Sequence, residues 1–350
     1  MVESYQGTPS PGVHTSEFVN PIYAHTQVYN DLEMINASQD TQFIAKFMQD
    51  VKGLKIKHFQ RSFDWISTGT ENPTQDTMRL GAWEQNLGLF MDDVRYEFTS
   101  ASWATMMEDE LNRSVAQIAK GYERLQVKKF WRQLLAIQTS ATAGTDLQVQ
   151  GGLYNGANTV TSAPPDWEGQ TFASTHNHYN PSTAQTTDFG LADINFMVKD
   201  IRHHGGNGNF YTFMNSDGIE ALSNMANFTT MQTPNPVIDD IATYGLKDRD
   251  TGVQIHGTHI MHSDWLPQYF YATLNDMTPL MARRVPPNPA AVGLQFQIDN
   301  PHARPELGSR YYCLYGHCVA EKGMASVMKA YTTSYSSPAS TTGIMKYGWG

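Results

Sequence analysis

Histidine is the residue type in this chain with the widest chemical repertoire, and its spacing is where a site would first show. In GVQIHGTHIMHSDWLP, residues 252–267, His256, His259 and His262 recur every three residues. Three neutral imidazoles converging on one point would hold a zinc ion. The surrounding pattern argues against convergence. Val253, Ile255 and Ile260 alternate with polar residues, so the stretch reads as strand, turn at His256-Gly257-Thr258, and strand. Successive side chains of a strand point to opposite faces. Thr258, Ile260 and His262 then share one face, His259 and Met261 share the other, and no metal is expected.

Other segments carry similar groups. THNHY puts His176 and His178 on one side of an extended segment, and IRHHGG puts His203 and His204 at a helix end, where histidine commonly caps. Cys313, His317 and Cys318 lack the spacing of a zinc knuckle or ribbon, and the two cysteines, five residues apart, face opposite sides of a regular strand. There is no Gly-x-Ser-x-Gly elbow, no phosphate-binding glycine loop, no His-Glu-x-x-His and no dinucleotide fingerprint. We therefore expect no catalytic residue, no cofactor and no metal. A metal-dependent enzyme built on the histidine-rich segments stands as the alternative from another class.

The elements that must position these residues form an α+β pattern. The chain has 350 residues, 40 % hydrophobic but only 17 % charged, with a net charge of −10. Such a surface does not attract nucleic acid as a whole. Two cysteines exclude a disulfide scaffold and fit a reducing compartment. No apolar run approaches the length of a membrane span, and the N-terminus lacks a signal-peptide pattern, so we expect synthesis in the cytoplasm and no membrane contact. Residues 1–30 read as an extended arm, and Phe43, Phe47 and Met48 predict a short helix over 38–50. Two β-like stretches, LKIKHFQRSF and LGLFMDDVRYEF, predict a long hairpin whose connection, residues 64–86, carries Trp65 and Trp83. Over 101–137, Leu111, Val115, Ile118, Tyr122 and Leu125 form one apolar stripe. Ser102 stands as a cap and Lys128, Lys129 and Arg132 sit near the end, predicting a helix roughly 55 Å long. A helix ending at Gly205, the strand NFYTFMN, a helix capped at Asn215 or Ser216, a short helix at 237–245, the opening hairpin and the strand QYFYATL follow. The strands LQFQI and RYYCLYGHCVAE close the pattern.

Taken in order, the arm, long hairpin, long helix, α/β block and return to strands resemble the HK97-like major capsid proteins of tailed double-stranded DNA viruses. NFYTFMNSDGIEAL is similar to the strand-then-helix of that family's A domain, and GVQIHGTHIMHSDWLP to its later strand pair, with Ser263, Asp264 and Pro267 at matching positions. The resemblance implies an N-terminal arm at 1–50, an E-loop at 51–98 and a peripheral domain at 99–186 containing the spine helix 101–137. It further implies an axial domain at 187–293, and return strands with a tail at 294–350. It implies self-association as hexamers and pentamers of an icosahedral virion shell, with a scaffolding protein, a portal, a decoration protein and packaged DNA as partners. An encapsulin-like compartment is the alternative within the fold. Trp65, Arg79, Trp83 and Glu84 at the hairpin tip are the expected inter-subunit contacts, because aromatic anchors on a projecting loop gain most when a partner buries them. Some members of the family join an E-loop lysine to a neighbour's asparagine. Here no lysine lies between Lys57 and Lys120, and Lys52, Lys55 and Lys57 sit at the hairpin base, so reinforcement is expected to be noncovalent.

Overall fold

The computed structural model describes residues 46–53, 55–60, 81–98, 108–137, 151–156, 164, 172–173, 175–182, 190–223, 249–255, 257–263, 265–298 and 307–338. Their strands are β1 (Met48–Val51), β2 (Lys55–Gln60), β3 (Gly81–Asn86), β4 (Phe90–Phe98), β5 (Tyr179–Pro181), β6 (Phe210–Met214) and β7 (Arg249–Ile255). After these come β8 (Thr258–His262), β9 (Phe270–Asn275), β10 (Met281–Arg284), β11 (Gln295–Ile298), β12 (Leu307–Val319) and β13 (Ala325–Lys329). The helices are α1 (Glu108–Leu135), α2 (Leu191–Arg202) and α3 (Ser216–Ser223). The described residues fall into two compact units, and α1 and β12 contribute residues to both.

One unit takes Leu89–Gln126 and Val285–Tyr315. Here β12 pairs antiparallel with β4, from Phe90↔Tyr315 to Phe98↔Leu307, and with β11. Ile118, Tyr122 and Leu125 of α1, spaced at four and three, pack against Val285, Leu294, Tyr311, Cys313 and Tyr315. This is the predicted stripe meeting a sheet. The hydroxyls of Tyr122 and Tyr315 meet at 2.6 Å, so both phenols are satisfied where they are buried. Arg310 Nε donates to Asp93 Oδ2 at 2.9 Å across the β4–β12 pair, an exposed bridge that contributes little.

The other unit takes Gln42–Gly88, Val127–Arg284 and Gly316–Gly350. Its sheet has the order β5-β13-β9-β6-β8-β7, with β6–β8 and β13–β5 parallel and the remaining pairs antiparallel. All six residues of β9 are buried because both faces are covered. Phe270, Ala272 and Leu274 join the cluster that Phe130, Trp131 and Leu134 of α1 build on one face. Tyr271, one step out of phase, joins Ile194, Met197, Val198 and Ile201 of α2 on the other. Thr212 bridges its strand neighbours there, its Oγ1 lying 3.0 Å from Thr258 Oγ1 and 2.8 Å from Thr273 Oγ1. Asn215 Oδ1 accepts from the Gly218 amide at 2.9 Å, the predicted cap of α3. Gly205 has φ 83°, which lets the chain turn out of α2 as predicted.

Two expectations change. Residues 46–47 form a 3-10 turn and 48–51 a strand, so the helix predicted over 38–50 is absent from its described part. Met48 and Val51 instead pair parallel with Met281 and Arg284 of β10, and Phe47 fills the core. The hairpin partner of β2 is not the 87–98 stretch but β3, in register from Lys55↔Asn86 to Gln60↔Gly81. The 87–98 stretch supplies β4, whose nine residues pair with β12. The helix predicted at 237–245 lies outside the described residues.

Beyond the main sheet, β10 joins β1 to the end of β12, where Arg283 opposes His317. His317 is fully buried. Burial first, then the charges of Lys129 and Arg283, hold its imidazole well below the ordinary histidine range. The ring is therefore neutral in the fold, while the unfolded chain takes up a proton below about pH 6.5. Stability from this group is fully present above that pH and falls as pH drops, by about 1.4 kcal/mol per pH unit. Urea titrations at pH 7 and pH 5 should show that loss, and His317→Gln should flatten it. Equal slopes for the two proteins would remove His317 from the account.

Candidate functional site

The two described hairpin histidines, His259 and His262, point to opposite faces of β8 and do not converge. On β8, His259 stacks over Tyr211 of β6, with centroids 5.4 Å apart and planes 22° apart. His262 Nε2 lies 3.0 Å from Ser216 Oγ at the start of α3. His256 and Asp264 lie outside the described residues. The alternation of faces read from the sequence holds, since Ile260 packs on the α2 side and Met261 on the α1 side.

The two other histidine pairs, read separately in the sequence, come together. His176 and His178 lie just ahead of β5, held by an isolated bridge between Asn155 and Asn177 and by the His178 amide donating to Tyr154 O at 2.8 Å. His203 and His204 leave the end of α2, their amides donating to Lys199 O and Ile201 O. The Nε2 atoms of His176, His178 and His204 form a triangle with sides of 3.0, 2.8 and 2.9 Å. Asp200, one turn back on α2, completes the group. Its Oδ1 accepts from His203 Nε2 at 3.1 Å, and its Oδ2 lies 3.4 Å from His178 Nδ1.

Electrostatics and packing set the state of these rings. His178 is fully buried, and its Nδ1 donates to the Ala325 carbonyl at 2.6 Å. A carbonyl only accepts, so in the neutral ring the lone pair sits on Nε2 and points into the triangle. Burial, then the neighbouring His178, lower the His176 pKa to about 4, with Asp200 pulling the other way. The same causes, with His176 added, take His204 to about 2. Burial pushes the Asp200 carboxyl up, but His178, the His203 hydrogen bond and further polar neighbours outweigh it, leaving the pKa lowered and the group ionised. Phe172 stacks on His204 at 4.4 Å and Tyr154 at 5.8 Å, walling the triangle with aromatic rings. The metal-capable groups among the described residues are His176–His178–His204 and His176–Asp200–His203. Sequence reading left these pairs apart because 26 to 28 residues separate the rings that meet. The available signal was two histidine pairs placed at an extended segment and a helix end.

The expected inter-subunit residues are placed only in part. Trp83 and Glu84 lie on β3, opposite His58 and Lys57 of β2, whereas Trp65 and Arg79 lie outside the described residues. Cys313 and Cys318 are buried free thiols that join separate clusters, as the odd spacing predicted. No helix among the described residues is long and apolar enough to cross a membrane.

No protein-family model matches the chain, and no curated protein does. Solved structures do match. A chain of Mycobacterium phage Patience aligns over 95% of this chain and 97% of its own, with a TM-score of 0.65 and 16% identity. The bacteriophage PhiM1 mature capsid aligns over 94% of this chain and 92% of its own, with a TM-score of 0.51 and 11% identity. The holo-SrpI encapsulin complex from Synechococcus elongatus PCC 7942 covers 96% of both chains at a TM-score of 0.47 and 8% identity, too low to weigh one kind of shell against another. With the strand order and the long helix already described, alignment over nearly the whole of each chain shows that this protein has the HK97-like capsid fold.

Proposed function

We propose that the chain is a major capsid protein whose copies assemble as hexamers and pentamers into an icosahedral shell around a double-stranded DNA genome. The observation that carries this reading is the alignment, over 94% of the chain, with the bacteriophage PhiM1 mature capsid. The β2–β3 hairpin falls inside the segment assigned to the E-loop, 51–98, and α1 inside the proposed spine, 101–137. On β4, Met91 and Val94 are half-exposed apolar side chains of the kind a neighbouring copy covers in an assembled shell. The role is mechanical, with no catalysis. The arm, the peripheral domain at 99–186 with its return strands at 294–350, and the axial domain at 187–293 complete the assignment. A scaffolding protein, a portal and a decoration protein are the proposed partners. DNA meets the inner face without sequence specificity.

Trp65, Arg79, Trp83 and Glu84 are the proposed contacts with a neighbouring subunit. Electron microscopy of the expressed protein should show closed shells, and Trp83→Ala should lower their yield while leaving the protein soluble. Native particles should contain DNA. Boiled in denaturant and reductant, they should run as a single band at 39.2 kDa, since no lysine stands at the hairpin tip. Protein cargo in place of DNA would identify an encapsulin-like compartment, a ladder of multimers would show covalent joining, and absence of any particle would overturn the reading.

A further inference from the structure

We propose that His176, His178 and His204 bind a divalent first-row transition ion, which braces the segment ahead of β5 against the end of α2. At metal–nitrogen distances of about 2.0–2.1 Å, ligands at right angles stand about 2.9 Å apart and tetrahedral ligands about 3.3 Å apart. The three observed separations, 2.8 to 3.0 Å, match three vertices of an octahedral face. Imidazole suits zinc, nickel and cobalt ions, and water would fill the remaining positions.

Three features point to a ligand rather than to ordinary packing of core histidines. First, a ring nitrogen presents either one hydrogen or one lone pair along a single direction. The Ala325 carbonyl fixes the lone pair of His178 on Nε2, and the Nε2 atoms of His176 and His204 converge on the same point. One proton can be shared within such a triangle, whereas an ion engages all three nitrogens at once. Second, Asp200 is buried beside the triangle, its Oδ1 accepting from His203 Nε2 and its Oδ2 3.4 Å from His178 Nδ1. A buried carboxylate charge is costly, and a cation near the adjoining rings offsets it. Third, Gly323 leaves a cradle for His204, since a Cβ there would stand 2.9 Å from His204 Cβ and Cγ. The inference stands on one compact unit and does not depend on shell assembly.

The test uses untagged full-length protein, stripped with a chelator and then dialysed against Zn2+. One equivalent of zinc per chain should be retained, and the melting temperature should rise by roughly 5 °C, reversibly on adding chelator. His176 is partly exposed, and His176→Ala should lower zinc affinity about 100-fold or more with an unchanged circular dichroism spectrum. His262→Ala, in the β7–β8 hairpin, should bind as the unmodified chain does. Should His176→Ala fail to fold, Co2+ titration of the unmodified protein gives the second readout, a visible spectrum shifted from that of the aquo ion. Substoichiometric zinc with an aquo-like cobalt spectrum, or equal losses in His262→Ala and His176→Ala, overturns the proposal.

Discussion

Gly316→Val should yield no soluble, folded protein. Gly316 sits on β12 opposite Arg284 of β10, and a Cβ built there lies 1.9 Å from the carbonyl oxygen of Gly88 and 3.4 Å from Leu87 Cδ1. The first of these is backbone and cannot swing aside as a side chain would. The loop is also pinned, because Arg284 Nη1 donates to the Leu87 carbonyl at 2.6 Å. Inserting extra carbons into a packed core usually costs about 1–3 kcal/mol, and a clash with fixed backbone lies at or beyond the top of that range. The same approach is closed to alanine, so Gly316→Ala should fail in the same direction with a smaller effect. Recovery of Gly316→Val in the soluble fraction with an unshifted melting temperature would falsify this account of the β10–β12 junction.

The second large effect is at Trp131. This side chain is fully buried at the C-terminal half of α1, edge-to-face with Phe130 at 5.2 Å and with Phe213 of β6 at 5.1 Å. Phe213 in turn meets Phe47 at 6.4 Å, so one indole links α1 to the central strand and to the turn before β1. Trp131→Ala should cost about 3–5 kcal/mol through lost burial and the cavity left behind. Trp131→Phe separates packing from polarity. It keeps most of the contact and removes an indole N–H that has no acceptor among the described residues, so its cost should be well below that of alanine. Denaturant unfolding of the two variants measures the difference. A phenylalanine as damaging as the alanine would mean that the indole N–H, not the ring volume, holds this core.

Much of this architecture was legible because it rests on period and punctuation. The spacing of Ile118, Tyr122 and Leu125 is a property of any helix lying on a sheet, and Asn215 and Gly205 mark ends by side-chain chemistry that acts locally. Strand β3 escaped because Gly81–Asn86, GAWEQN, has one large apolar residue and no alternation. Its pairing with β2 sets it as a strand. The strand at 48–51 was read as helix because Phe43, Phe47 and Met48 have helical spacing, whereas the partner that decides the matter, Met281–Arg284, is remote in sequence. Strand β10 escaped as a short run whose identity comes from the neighbours it pairs with. The histidine triangle follows the same rule. Each pair had an ordinary local explanation, and only the approach of α2 to the segment ahead of β5 makes them one group.

The parallel pairing of β1 with β10 has a consequence in time. Asp50 and Arg283, bonded through both carboxylate oxygens at 2.7 and 2.9 Å, are 233 residues apart. A ribosome adding roughly 5–20 residues per second needs roughly 10 to 50 s to make that stretch. Until then Phe47 and β1 have neither the strand nor the core that will cover them, although they leave the ribosome first. A parallel pair of such separation is also among the slowest kinds of contact to close. The pace of translation thus sets how long each new chain offers β1 to others.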